Sequence, residues 1–403
     1  MLLLVAVGAT VVAVRFHSGL GAVTHLDDRF PWGLWIAVDV ATGVALAAGG
    51  FTTAALAHIF HRHRYQSLVR PALLTAVLGY TFVALGLFVD LGRYYNIWHP
   101  ALPSMWSGHS PLFEVAMCVM AYLTVLYIEL IPILVERFSG RVRLPRPLAV
   151  LDRPVEGFLR LFDVTLGRVI SVFIILGVVL SCLHQSSLGT LMLLVPSKMH
   201  PLWWTPILPL LFLLSAVAVG LSMVIFESLL ASRAFHRQPE MEVLGSLAKI
   251  VPVVLLVYLG FKVGDLFIRD ATTRLLDGSF ASIAFLVEVV VGVAVPIGMF
   301  ASARVRGSPR LLLTAATLTV LGVAWNRIDV FLVAYTPPYA THRYVPSFGE
   351  VAVTVGLIAA LVLLYRALVT VLPILPAEED QAAEDRPDRH RSRVKVATDW
   401  GKW

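Results

Sequence analysis

The sequence predicts an all-α polytopic membrane protein of about ten transmembrane helices. Three observations carry that reading. The 403 residues are 58% hydrophobic and only 14% charged, where soluble domains run near a quarter charged. Apolar runs of about 20 residues, enough to cross a bilayer core about 30 Å thick, recur along almost the whole chain. Lys and Arg concentrate in alternate loops between these runs.

The first span is placed at 1–23. Its opening, "MLLLVAVGATVVAVRF", has no basic start and no clear small-residue cleavage site, so it reads as a helix and not as a signal peptide. Spans 2 to 10 follow at 32–57, 71–91, 111–135, 166–184, 206–230, 248–268, 281–302, 311–333 and 350–372. Residues 1–376 form one membrane domain, and 377–403 form a short charged tail, of a composition that stays disordered until a partner orders it.

One set of loops holds Arg62, Arg64 and Arg70, then Arg137, Arg141, Arg143, Arg146, Arg153 and Arg160, then Arg233 and Arg237, then Arg304, Arg306 and Arg310. These loops are expected in the cytoplasm, and ten spans then put both termini there. The net charge of +6 reflects this bias, so no nucleic-acid partner is expected. The opposite loops, such as "GRYYNIWHPALPSMWSGHSP", are rich in Trp, Tyr, Pro and His. They read either as an interfacial aromatic belt or as a docking surface and site mouth.

An internal echo divides the chain. Asp90 and Glu114 stand 24 residues apart near the outer ends of spans 3 and 4, and Asp265 and Glu288 stand 23 apart in spans 7 and 8. A repeat offset by four helices predicts two four-helix bundles, spans 2–5 (within 31–190) and spans 6–9 (within 205–335), flanked by spans 1 and 10.

Acids inside apolar spans are the most informative residues: Asp39, Asp90, Glu114, Glu129, Glu227, Asp265, Glu288, Asp329 and Glu350. Each costs roughly 3 kcal/mol or more to insert, so it faces the bundle interior with a partner. Some of these acids are expected to fix helix packing, others to carry protons. Glu114 and Glu129 are 15 residues apart, about 22 Å along a helix and about 60° apart around it. That geometry suits two ends of a proton path, which Glu227 extends toward the cytoplasm.

The two cysteines, Cys118 and Cys182, lie in apolar runs with no CxxC pattern, so neither a metal site nor an iron–sulfur cluster is expected. No histidine pair lies deep in facing spans, so haem is not expected either. The stretch "SCLHQSSLGTLMLL" places His184, Gln185, Ser186 and Ser187 at the predicted outer end of span 5. They read either as a polar C-cap, with Gly189 reversing the chain, or as part of a site.

Several stretches, "FPWGLWIAVDVATGVALAAGGF", "DLGRYYNIWH", "HSPLFEVAMCVMAY", "HQSSLGTLMLL" and "HPLWWTPILPLLFLLSAVAVGLSMVIFES", resemble the NrfD/polysulfide-reductase C superfamily over nearly the whole chain. They look most like its HybB branch, the membrane subunits of nickel–iron hydrogenase-2. The resemblance implies a quinone-reactive anchor without redox metal. It implies a periplasmic four-cluster [4Fe-4S] ferredoxin-like partner, a catalytic [NiFe] hydrogenase module and a bacterial inner-membrane location. It places menaquinone or ubiquinone near Arg93, His99, His109 and Glu114, with Glu114 and one of the two histidines as the acting groups. Trp35 and Asp39 would line the same bundle, and His184 and Gln185 would close the pocket. Asp90, Glu129, Glu227, Asp265 and Glu288 would move protons. Other readings are a sister complex acting on polysulfide, sulfoxide or quinol, a secondary transporter, or a passive anchor.

Overall fold

The computed structural model describes residues 1–138 and 152–375. Among them, nine helices are long and apolar enough to cross a membrane, and a shorter apolar helix precedes them. We number them α1 (Leu2–Ser18), α2 (Trp35–Ile59), α3 (His63–Asp90), α4 (Pro111–Phe138), α5 (Asp152–Leu193), α6 (Leu208–Ala234), α7 (Met241–Ile268), α8 (Phe280–Ala301), α9 (Pro309–Val333) and α10 (Phe348–Val371). The chain is thus a multi-pass membrane protein. The described residues hold no strand beyond one isolated bridge, Met199 to Tyr335. The predicted tail and the loop arginines at 141, 143 and 146 lie outside the described residues.

Neighbouring helices close into two rings. In the first, α2 packs on α3, α3 on α4, α4 on α5, and α5 back on α2. In the second, α6, α7, α8 and α9 close in the same way. The rings meet where α2 crosses α6 and α9, and small residues allow the approach. A Cβ on Gly220 would lie 2.8 Å from the Ala48 carbonyl carbon. Within the second ring, where α8 meets α9, one on Gly292 would lie 2.6 Å from the Gly322 Cα. Outside the rings, α1 and α10 pack on each other, with a Cβ at Gly8 falling 3.0 Å from the Gly356 Cα.

Several spans are not regular α-helices. α2 starts with a π-helical segment, Trp35–Thr42, breaks at Ala47 and Ala48, and ends in a second π turn, Ala55–Ile59. π turns also occupy Val290–Ala294 in α8 and Asp329–Val333 in α9. Such turns widen the helix by one residue and often mark functional sites. Here they carry Asp39 and Asp329.

One expectation about α5 is corrected. The helix does not end at residue 184 but continues to Leu193. His184 to Ser187 are therefore neither a C-cap nor a loop, and His184, Gln185 and Ser187 are buried interior residues. Gly189 reverses nothing. It admits α6, since a Cβ there would lie 2.7 Å from the Pro209 Cα.

Candidate functional site

The loops at 19–34, 91–110, 194–207, 269–279 and 334–347 lie together on one face, which we call the outer face. Backbone bonds tie them: His200 N–H donates to the Ala334 carbonyl at 2.8 Å and Thr336 N–H to the Lys198 carbonyl at 2.7 Å. Arg269 reaches the Pro201 carbonyl at 2.9 Å.

In the first ring a file of polar groups descends from this face between α3, α4 and α5. At its outer end Glu114 is exposed in the first turn of α4, and Ser187 donates to its Oε1 at 2.5 Å. His184 lies nine residues before the end of α5, about 14 Å below it. Its Nδ1 is 3.2 Å from the Tyr80 hydroxyl, and its Nε2 has no partner. The Tyr80 and Tyr122 rings meet edge-on at 4.6 Å, beside the buried Ser181 hydroxyl. Gly177, Ser181 and His184 follow at spacings of four and three on one face of α5. Gly177 leaves room for Glu129, whose Oε1 would lie 2.7 Å from a Cβ at that position. Polar side chains on α3, α4 and α5 thus lie between the Glu114 and Glu129 sites, and sequence spacing could not name them.

The other candidates of the first half are placed differently. Gln185 donates to the Val44 carbonyl at 2.8 Å, satisfying a group freed by the break in α2. Its Oε1 is unpartnered. Trp35 is 1% exposed and donates to the Glu350 carbonyl at 3.0 Å, so it ties α2 to α10. Asp39 accepts from Thr354 of α10 at 2.8 Å. Asp90 keeps one buried, unpartnered oxygen. Arg15 of α1 bonds the Val89 carbonyl at 2.6 Å and also the Leu91 carbonyl. Arg93 and His109 are exposed, and the half-buried His99 meets the Trp98 ring edge-on at 4.6 Å. Glu350 forms a capping box with Ser347 and accepts from Tyr344, so its role is to start α10. Burial and that carboxylate hold the Tyr344 phenol well above its ordinary range.

At the opposite face Glu227 accepts from Tyr365 of α10 at 2.5 Å. It lies in a pocket with Ser67, Ser228, Ser232 and Arg237.

The second ring holds a denser cluster, most of which the sequence reading missed. Glu288 accepts from Lys262, from Asn326 at 3.0 Å and from Trp203 of an outer loop at 2.8 Å. Arg327 donates to Asn326 Oδ1 at 2.6 Å and to Ser215 at 2.8 Å, and lies 3.7 Å from the Phe212 ring centre. Asp265 is paired with Arg269 at 2.6 Å and accepts from Thr205 at 2.7 Å. Lys262, Asp265, Asn326, Trp203 and Thr205 line one cavity. A signal existed: Lys262 and Arg327 are lone cations inside apolar runs, and such charges sit in bundle interiors beside a counter-charge.

No group of three or more His, Cys, Asp or Glu able to hold a metal ion occurs among the described residues. Nor, among the described residues, do the histidines fit the axial pair of a haem. His184 is deep in the outer half of α5, whereas His58 lies in the last turn of α2 at the opposite face.

His200 carries a pH expectation. Its Nδ1 accepts the Leu202 N–H at 3.3 Å. Burial, with Arg274 nearby, lowers its pKa from 6.5. The unfolded loop therefore gains a proton first as pH falls. Packing of the 194–207 loop is complete above that value and is lost progressively as pH drops below it. An acid-induced change in tryptophan fluorescence should follow, and His200→Asn, which keeps an acceptor without a titration, should abolish it.

Comparisons with known proteins agree with this architecture. The model of one family, described as "Polysulphide reductase, NrfD", matches residues 22–338. A protein of Nitratidesulfovibrio vulgaris, described only as "Protein", is 37% identical, covering 94% of each chain. The "probable Ni/Fe-hydrogenase 2 b-type cytochrome subunit" of Escherichia coli is 34% identical over 93% of this chain and 91% of its own. The "menaquinone reductase, integral membrane subunit" of N. vulgaris is 28% identical over 90% and 87%.

Proposed function

The chain belongs to the polysulphide reductase NrfD family, and on that premise we propose that it is the quinone-reactive membrane subunit of a respiratory oxidoreductase, of the [NiFe] hydrogenase type. Two of its relatives are named as subunits of a hydrogenase and of a menaquinone reductase. The observation that carries the reading is the polar file in the first ring, from exposed Glu114 through Ser187, His184, Tyr80 and Tyr122 to Glu129.

Reducing a quinone to a quinol takes two electrons and two protons. Electrons would arrive at the outer face from a [4Fe-4S] ferredoxin-like partner, itself fed by a catalytic module. The headgroup, menaquinone or ubiquinone, would sit at the outer edge between α4 and α5. There Glu114 is exposed, with His99 and His109 on the adjoining loop and Arg93 close by in sequence. Glu114 would give its proton to a quinone oxygen, and Ser187 holds that carboxylate in place. His184 and the two tyrosines would refill it from Glu129. Glu227 and its pocket would take protons from the opposite face, which the arginine-rich loops assign to the cytoplasm of a bacterial inner membrane. Asp39 and Trp35 brace the ring against α10.

The test is a titration of the intact complex with a fluorescent quinol-site inhibitor. Saturable binding that Glu114→Gln weakens about tenfold, on the order of 1.4 kcal/mol, supports the reading. Absence of binding to a folded, complete complex would overturn it in favour of a passive anchor or a transporter.

A further inference from the structure

We propose that the second ring carries a proton-loading site in which Asp329 holds the exchangeable proton and Glu288 stays a carboxylate. Both Glu288 oxygens face donors that cannot become acceptors. An ammonium and an indole N–H only donate. The Asn326 amide can rotate in principle, but Arg327 donates to its Oδ1 and so fixes its NH₂ toward Glu288. Oε1 already accepts from both Lys262 and Asn326, so a proton there would point at another hydrogen, and a proton on Oε2 would leave the Lys262 ammonium against a neutral acid.

Asp329 is the opposite case. It is 1% exposed, and its Oδ2 has no partner. Its carboxyl faces that of Glu288, with Lys262 beyond and the Trp325 indole of its own helix as a neighbouring donor. Two ionised carboxylates are acceptors only, so they cannot satisfy each other. One proton on Asp329 turns it into a donor toward Glu288, and a buried polar atom left unpaired is costly in a membrane interior.

Both protonation states are tolerable, which is what a loading site requires. With the proton, Asp329 is neutral and hydrogen-bonded. Without it, Lys262 and Arg327 stand against Glu288 and Asp329, two charges of each sign. The charged and titratable groups around Asp329 are Glu288 from α8, Lys262 and Tyr258 from α7, and Arg327 from its own helix. Arg327 is committed to Asn326, Ser215 and the Phe212 carbonyl, and bonds no carboxylate. The cavity lined by Lys262 and Asp265 also reaches Asn326 and Val330, the Glu288 partner and the residue next to Asp329, so a proton would pass from it to Asp329 through that cluster. Loading breaks one O–H bond of a hydronium ion there and forms one at Asp329 Oδ2, and no electron moves. Asp329 also opens a π turn, a widened turn typical of such sites.

The proposal deepens the proton-carrying part of the function given above. Its test reads the proton itself, so a complex that keeps the proton but fails to reduce quinone would count against that function and not against this site. Infrared spectra of the reconstituted complex should contain one protonated-carboxyl C=O component per chain that Asp329→Asn removes. That component should shift when the protein is grown with carboxyl-¹³C aspartate. Should Asp329→Asn fold poorly, Asp329→Glu should transfer the component to the ¹³C-glutamate label. A component that Glu288→Gln removes and Asp329→Asn leaves in place, or none that Asp329→Asn removes, would overturn the proposal.

Discussion

Lys262→Met is expected to destabilise the folded protein by about 3–5 kcal/mol, the cost of stranding one partner of a buried ion pair. Lys262 and Glu288 are 5% and 2% exposed and touch directly. Methionine keeps the apolar reach of the lysine stem, so little packing is lost. What remains is a carboxylate with amide and indole donors but no cation against it. The double variant Lys262→Met with Glu288→Met should recover most of the loss, because replacing a whole buried pair by apolar groups of similar volume is often near neutral. Denaturant unfolding in detergent gives both values, and the cycle isolates the pair term. Losses in Lys262→Met and Glu288→Met that simply add in the double variant would show that the pair is not coupled.

Glu129→Gln is expected to slow proton transfer through the first ring by about 10²–10⁴-fold, the usual contribution of a positioned acid–base group. Glutamine has the same shape, and Gly177 opposite still leaves room for it, so the helix packing stays intact. Proton uptake by the reconstituted complex during quinone reduction is the measurement. Uptake at the unsubstituted rate would remove Glu129 from the route and leave it as a packing residue.

The spans were legible because a run of about 20 apolar residues has few other uses. The closing of spans 2–5 and 6–9 into rings follows the echo of Asp90–Glu114 and Asp265–Glu288, although the two pairs have different fates. Asp265 and Glu288 both belong to the Lys262 neighbourhood, whereas Glu114 bonds Ser187 and Asp90 stands near Arg15. Long-range partners were not legible. Trp203 reaches Glu288 from 85 residues away and Thr354 reaches Asp39 from 315, and no local pattern encodes such distances. The end of span 5 was misplaced because polar residues signal a helix end only when water receives them. Gln185 and Ser187 instead find partners on α2 and α4. The π turns leave the hydropathy almost unchanged, so they too were invisible.

The pairing of α1 with α10 bears on how the chain is built. The ribosome makes α1 first and α10 last, and the contact from His25 to Glu350 spans 325 residues. The first helix therefore waits in lipid while eight others are inserted. During that wait Arg15 has no Val89 or Leu91 carbonyl until α3 arrives, and the flat face at Gly8 has nothing against it until Gly356 is delivered. Completion of α10 is then the event that locks α1, and with it Trp35 and Asp39, into place. A chain interrupted before residue 348 would carry both rings and still lack the brace on its outer side. Quality control that samples loosely held first helices would sort such products from finished ones.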